Sequence, residues 1–288
     1  MLSSSYIRPR RSNASGPPCR RSRPTVTKLE CAAHAQVLVQ KRARIPLATK
    51  SNINGAAAAP TKLSLPRTLP RPVVDEVDTS RLVGAYPDLA GVPAEYIRDR
   101  LPLSTPKMRA ALQAVETSVS KSALPKELEI LMNDIVAAAC PTHMLAIYAD
   151  APLALGQKRH VSLFPMHDIV FAAHCARLPA FPASQRPSAA PRHTIPVVPL
   201  CIPSPETFPL LQSYLYTQQP TVLLASLQPP RDSETDLLQL ATHAMKIHGL
   251  WRNACALGVV DERMYAAIEV SWDGTIAAMQ AASRACLP

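Results

Sequence analysis

The chain has 288 residues, 47% of them hydrophobic, with 30 prolines against 8 glycines and a formal net charge of +10. That length and apolar fraction exclude disorder from end to end, and proline at about twice its usual frequency excludes long uninterrupted helices or central strands through much of the chain. The charge is lopsided: residues 1–71 carry 14 Lys and Arg and one acid, Glu30, for a net of +13, while the rest carries 17 basic and 20 acidic side chains, a net of −3.

Residues 1–72 are rich in Ser, Pro, Ala and Arg without a sustained period of 2 or 3.6, and are expected to be a disordered basic tail. Three clusters punctuate it: Arg8, Arg10 and Arg11; Arg20, Arg21 and Arg23; Lys41, Arg42 and Arg44. Such clusters are read by nuclear import receptors or by phosphate backbones, so these residues are nuclear-targeting candidates, with the cytoplasm as the alternative address. A mitochondrial transit peptide is disfavoured by prolines 9, 17, 18 and 24, which oppose an amphipathic helix. Seven cysteines at irregular spacing, none in a CxxC pair, read as reduced thiols of an intracellular protein, and no apolar run approaches the ~20 residues that cross a bilayer.

Residues 73–124 are expected to be a helical lead-in. Helices are predicted over 93–101 and from Thr105, with Thr105 as N-cap and Pro106 at the first position. The compact core is expected over 125–230. Strands are predicted at 143–148 and 159–164, the latter ended by Pro165, then a helix over 166–177. Residues 194–202 are β-branched but carry Pro196 and Pro199, which predicts an edge or bulged strand. Ser204 followed by Pro205 predicts a helix running to about 217. Helices follow at 221–227, 234–244 and 247–257, the last closed by Gly258, and a longer one is capped by Asp261, so 231–288 is expected to be C-terminal helices packed on the core. Strands interrupted by a helix and then helices to the end make the fold class α+β.

Catalytic signatures are sparse. Walker A, GxGxxG and GxSxG are absent from the sequence. His160, His167 and His174 recur every seven residues, and a helix would set such ligands about 10 Å apart along its axis, too far for one zinc ion. Adjacent His174 and Cys175 would point about 100° apart on a helix, which disfavours a Cys–His nucleophile. The paired carboxylates, Asp75/Glu76, Glu127/Glu129, Asp232–Asp236 and Asp261/Glu262, sit where capping or polar loops explain them. No enzyme activity, cofactor or metal is therefore expected. Helical spacing puts Trp251 toward the core and leaves Arg252 as the candidate partner-binding residue.

Two resemblances add to this reading. The block Phe164-Pro-Met-His-Asp-Ile-Val-Phe-Ala-Ala-His-Cys175 resembles the strand-to-helix signature of BTB/POZ domains, and Phe208-Pro-Leu-Leu-Gln-Ser-Tyr-Leu-Tyr-Thr217 resembles their later helix, with Gln218 where Gly is usual. The resemblance implies a BTB/POZ-like small sheet with helices, and a homodimer through that core. More specifically, Gly91-Val-Pro-Ala-Glu-Tyr-Ile-Arg-Asp-Arg-Leu101, Arg159-His-Val-Ser-Leu-Phe-Pro-Met-His-Asp, Ile195-Pro-Val-Val-Pro-Leu-Cys-Ile and His248-Gly-Leu-Trp-Arg-Asn-Ala-Cys-Ala-Leu-Gly-Val259 resemble the Clampless proteins of basidiomycete fungi. That resemblance implies a non-enzymatic regulator of sexual development, needed for clamp formation and dikaryon proliferation after mating, that binds homeodomain or zinc-finger transcription factors. The alternatives are direct nucleic-acid binding by the basic tail and a cullin ubiquitin-ligase adaptor of BTB type.

Overall fold

The computed structural model describes residues 43–44, 64–73, 75–117, 124–131, 139–150, 159–184, 192–229 and 236–285. All of them fall within one compact unit, Ala33–Pro288. Their elements, in chain order, are β1 (Ala43–Arg44), β2 (Ser64–Leu65), α1 (Thr79–Ala85), α2 (Ala94–Arg100), α3 (Thr105–Gln113), β3 (Glu116–Thr117), β4 (Glu127–Leu131), β5 (His143–Tyr148), β6 (Ser162–Met166), α4 (Asp168–His174), β7 (Arg192–Cys201), α5 (Phe208–Thr217), α6 (Pro220–Ser226), α7 (Leu237–Leu257) and α8 (Glu262–Ala285). The α+β class is as expected.

The main sheet has the order β3-β4-β7-β5-β6, with β7 parallel to β5 and the other pairs antiparallel. Period-2 alternation divides its side chains between two cores. Met144, Ala146, Ile195, Val197, Leu128 and Ile130 share a small cluster with Ala111 of α3. Leu145, Ile147, Val198, Leu200 and Ile202 point into the large cluster built by the helices. Burial on both faces explains why β5 reads as a continuous apolar run.

The two prolines did not push β7 to the edge of the sheet. Its first half pairs only with β4, from Arg192 to Pro196, and its second half only with β5, from Val197 to Cys201. Backbone N–H groups alternate sides along a strand. The Val197 N–H donates to Lys126 O on the β4 side (2.8 Å), and the Ile202 N–H donates to Tyr148 O on the β5 side (3.0 Å). By that alternation Pro196 faces the β5 side before β5 begins, and Pro199 faces the β4 side after β4 has ended. Neither proline deletes a ladder bond, so a strand that is central in order is an edge in each half. Pro165 likewise lies inside β6, the outermost strand, instead of ending it.

Other boundaries moved for similarly local reasons. Glu127 and Glu129, expected at a helix start or in a loop, form the exposed face of β4, whose Leu128 and Ile130 are buried. Ser104, not Thr105, occupies the N-cap position of α3. The helices expected at 234–244 and 247–257 are one 21-residue helix, α7, opened by the Asp236 carboxylate accepting from Leu238 N–H and closed by Gly258 at φ 63°. Nothing between Ala244 and Ile247 breaks a helix. α1 and α2 of the lead-in pack on α4, and Leu82 of α1, Ile97 of α2 and Leu101 just after it join the large cluster.

The packed chain also reaches further toward the N-terminus than the expected boundary at 72. Leu65 and Leu69 are buried in the large cluster, and residues 67–71 run against α7 and α8. Residues 1–42 and 45–63, expected as unstructured tail, lie outside the described residues.

Gln218, where the BTB signature has glycine, adopts φ 50°, ψ 31° after the last turn of α5. The left-handed region costs a side chain about 1 kcal/mol that glycine avoids. Against this, its Nε2 donates to Arg98 O at 3.3 Å, a long bond. Gln218→Gly is therefore expected to raise stability by about 0.5 kcal/mol, measured by chemical denaturation. A loss instead would mean that the side-chain bond outweighs the backbone strain.

Candidate functional site

The motif at 248–259 becomes intelligible on α7, where it serves two neighbours at once. On one face, Gly249 and Asn253 lie one turn apart against the turn 204–207. A Cβ on Gly249 would stand 2.4 Å from Ser204 Oγ and 2.9 Å from Ser204 Cβ. Asn253, fully buried, accepts from Ser204 N–H (2.9 Å) and donates through Nδ2 to Ser204 O (2.7 Å) and Thr207 Oγ1 (2.9 Å). Ser204 therefore caps nothing with its side chain. Its backbone is gripped by an amide 49 residues away, which fixes the junction of β7 with α5 on the C-terminal helices.

On the other face the same helix holds residues 67–71. The Trp251 indole N–H donates to Pro70 O (3.2 Å), and the fully buried Trp272 of α8 donates to Arg67 O (3.3 Å). His248 stacks on Trp251, with centroids 5.6 Å apart and planes at 13°. Arg71 forms a two-pronged pair with Glu269, at 2.8 and 3.0 Å. Trp251, expected in the core, is only half-buried because it forms one wall of this groove. Arg252 is exposed beside it, as expected of a candidate contact. Glu269, Trp272, Leu65 and Leu69 went unrecognised as one site; the repeated Leu-Pro-Arg at 65–67 and 69–71 was the available signal.

A second feature is a cavity of about 830 Å³ between α1, α4 and residues 178–184, lined by Leu82, Ala172, Leu178 and Phe181 with a polar end at Tyr86, Thr142 and Asp168. Three donors converge on Asp168 Oδ1: Tyr86 OH (2.5 Å), Thr142 Oγ1 (3.2 Å) and Ile169 N–H (2.8 Å). Thr142 Oγ1 in turn accepts from Asp168 N–H at 2.8 Å. The carboxylate thus ties α1, the start of β5 and the start of α4 together. Arg81 reaches across the rim to donate to Leu178 O.

The remaining candidate chemistry is occupied by structure. His167 Nδ1 is 2.9 Å from Tyr216 OH, and Nε2 is 3.0 Å from Ala139 O. The Tyr216 hydroxyl also accepts from His167 N–H, so it gives its own proton to Nδ1, and the imidazole is neutral with its proton on Nε2. His174 donates through Nδ1 to Val170 O (2.7 Å), away from any thiol chemistry of Cys175, which burial holds protonated. Burial pushes the Cys140 thiol up to about 11 and Cys255 up to about 12. Asp261 caps α8 as expected, accepting from Arg263 N–H and the Arg263 guanidinium and from Tyr214 OH at 2.7 Å. Among the described residues, no three His, Cys, Asp or Glu side chains converge as metal ligands do, and no helix is long and apolar enough to cross a membrane.

Burial lowers the pKa of His167 and of His174 below the ordinary histidine value. A neutral buried histidine stabilises the fold fully above the unfolded value of about 6.5, and that stability is lost as pH falls and the unfolded state takes up protons first. Each should steepen the loss by at most about 1.4 kcal/mol per pH unit below 6.5. Thermal melts from pH 7.5 to 5.0 are expected to show a falling Tm, flattened in His167→Gln. An unchanged pH slope in that variant would contradict the assignment.

Of the targeting candidates, Arg8, Arg10, Arg11, Arg20, Arg21, Arg23, Lys41 and Arg42 lie outside the described residues; Arg44 lies in β1, where only its backbone is described.

Comparison with protein families matches residues 72–203 to the Clampless protein 1 N-terminal domain and residues 196–287 to the Clampless protein 1 C-terminal domain. Between them the two take in every element from α1 to α8. Comparisons with curated proteins and with solved structures find no match.

Proposed function

From the premise that this chain belongs to the Clampless family of fungal development-related proteins, we propose that it is a non-enzymatic interaction module, built on a BTB/POZ-like core, that regulates sexual development by binding transcription factors of homeodomain or zinc-finger type in the nucleus. The observation that carries the reading is the joint match of both family domains across 72–287, where the N-terminal elements and the C-terminal helices share one hydrophobic cluster. Two facts of the side chains support it. The thiols at Cys140, Cys175 and Cys255 are held protonated by burial, and the Asp168 carboxylate is occupied by Ile169 N–H, Tyr86 and Thr142. The cavity beside α1 and the exposed Arg252 on α7 are the candidate contact surfaces.

The basic clusters of the tail favour nuclear address, and the net charge of +13 over residues 1–71 also supports the second reading, direct nucleic-acid binding. Affinity purification of the full chain from mating-stage cells tests the first. Recovery of a homeodomain or zinc-finger regulator is expected, and recovery of no transcription factor would overturn it.

A further inference from the structure

The geometry points to the α7/α8 groove as a receptor for proline-rich segments of Leu-Pro-Arg type, loaded here with the chain's own residues 65–71 and able to take the same kind of segment from a partner protein. The groove reads its occupant at five points. Two leucines four residues apart, Leu65 and Leu69, are buried in the large cluster. Two indole N–H groups, from Trp272 and Trp251, bind the carbonyls of Arg67 and Pro70. One carboxylate, Glu269, receives the Arg71 guanidinium.

Carbonyl capture by an indole N–H does not depend on the side chain of the residue bound. It suits proline, which has no N–H to leave unpaired and loses little conformational freedom on docking; this is how aromatic-lined grooves hold proline-rich peptides. The leucine pair and the arginine supply the selectivity.

Occupant and receptor are also far apart in sequence. They lie 181 and 205 residues apart at the two indole contacts. The groove residues Trp251, Glu269 and Trp272 belong to the stretch matched by the C-terminal family domain, whereas Leu65 to Arg71 precede the match of the N-terminal domain at residue 72. The ion pair is exposed, so its own contribution is small. The buried leucines and the two carbonyl bonds do most of the holding, and the covalent link adds an effective concentration in the millimolar range.

This deepens the interaction reading by naming the chemistry of a partner. Its test uses a synthetic peptide, so it can fail even where a transcription factor is recovered from cells. A fluorescein-labelled peptide of residues 63–73 is titrated into the full chain and into the full chain carrying Leu69→Ser and Arg71→Glu. The double variant is expected to bind at least about ten-fold more tightly than wild type, because it no longer competes for its own groove. Glu269→Arg in that background is expected to weaken binding by about five-fold, and a peptide with Arg71→Glu to recover it. A variant that keeps its circular dichroism and binds no peptide would overturn the proposal. So would exchange of the segment between two copies, seen as a dimer that peptide cannot dissociate. Arg71→Glu alone, which alters only the exposed ion pair, guards against failure of the double variant to fold. If even this change unfolds the chain, the segment is an inseparable part of the core and the proposal falls.

Discussion

Trp272→Ala is expected to lower stability by about 4 kcal/mol, seen as a Tm lower by about 8–16 °C. The side chain is fully buried, lies among the large cluster, has its ring centroid 5.9 Å from that of His248 and donates its only polar hydrogen to Arg67 O. Removing it deletes a large apolar volume and also leaves the carbonyl of Arg67 without that partner. Trp272→Phe separates these effects: most of the volume stays, the N–H is lost, and a fall of about 1–1.5 kcal/mol is expected. Glu269→Ala, at the rim of the same groove, should cost under about 1 kcal/mol because the pair is solvent-exposed. If Trp272→Ala cost no more than Glu269→Ala, the groove would not be part of the cooperative core.

Asn253→Ala is expected to cost about 3 kcal/mol, near 6–12 °C in Tm. Its amide makes three hydrogen bonds where no water reaches, and its loss strands the Ser204 N–H. Ser204 O keeps its bonds from Thr207 N–H and Thr207 Oγ1, so the penalty falls mainly on the one donor and on the small void. Asn253→Asp is the informative companion. It retains the acceptor for Ser204 N–H but turns the two donated bonds into contacts between a carboxylate oxygen and oxygens, so it should be at least as damaging as alanine. Indifference to both substitutions would show that the turn at 204–207 is held by its own Pro205 and Thr207 instead of by α7.

The sequence made legible those elements whose cause is local. β5 announced itself as an apolar run, Asp261 as the cap of α8, Gly258 as the end of α7, and the spacing of Tyr265, Ile268, Trp272 and Ile276 as a buried stripe. Features fixed by distant partners stayed hidden. Pro196 and Pro199 argued for an edge strand, and only the staggered pairing of β7 shows how both can be tolerated in mid-sheet. β4 was masked because its two glutamates looked like helix-start carboxylates, whereas its short alternation shows only against Ile195 and His193 of β7. The Leu-Pro-Arg repeat reads as unstructured tail when considered alone, since two prolines and two arginines bury little without the tryptophans supplied from far along the chain. Gly249 was read only as one residue of a family motif; its role is the close approach of Ser204.

That same finding alters how tail and core should be separated. A cut at residue 71 removes Leu65, Leu69 and Arg71 from the groove and so disturbs the folded unit along with the basic clusters. A cut after residue 63 removes the nine targeting candidates, together with the β1 partner of β2, and keeps Leu65 to Arg71, which fill the groove.

The most direct measurement therefore compares the full chain with a chain lacking residues 1–63, scoring recovery of transcription factors from mating-stage extract and binding of duplex DNA at 50 and 200 mM salt in parallel. If the folded part is the interaction module, the shortened chain recovers the same factors at the same yield, while any salt-sensitive DNA binding disappears. Loss of factor recovery together with DNA binding would place the function in the tail and contradict the account.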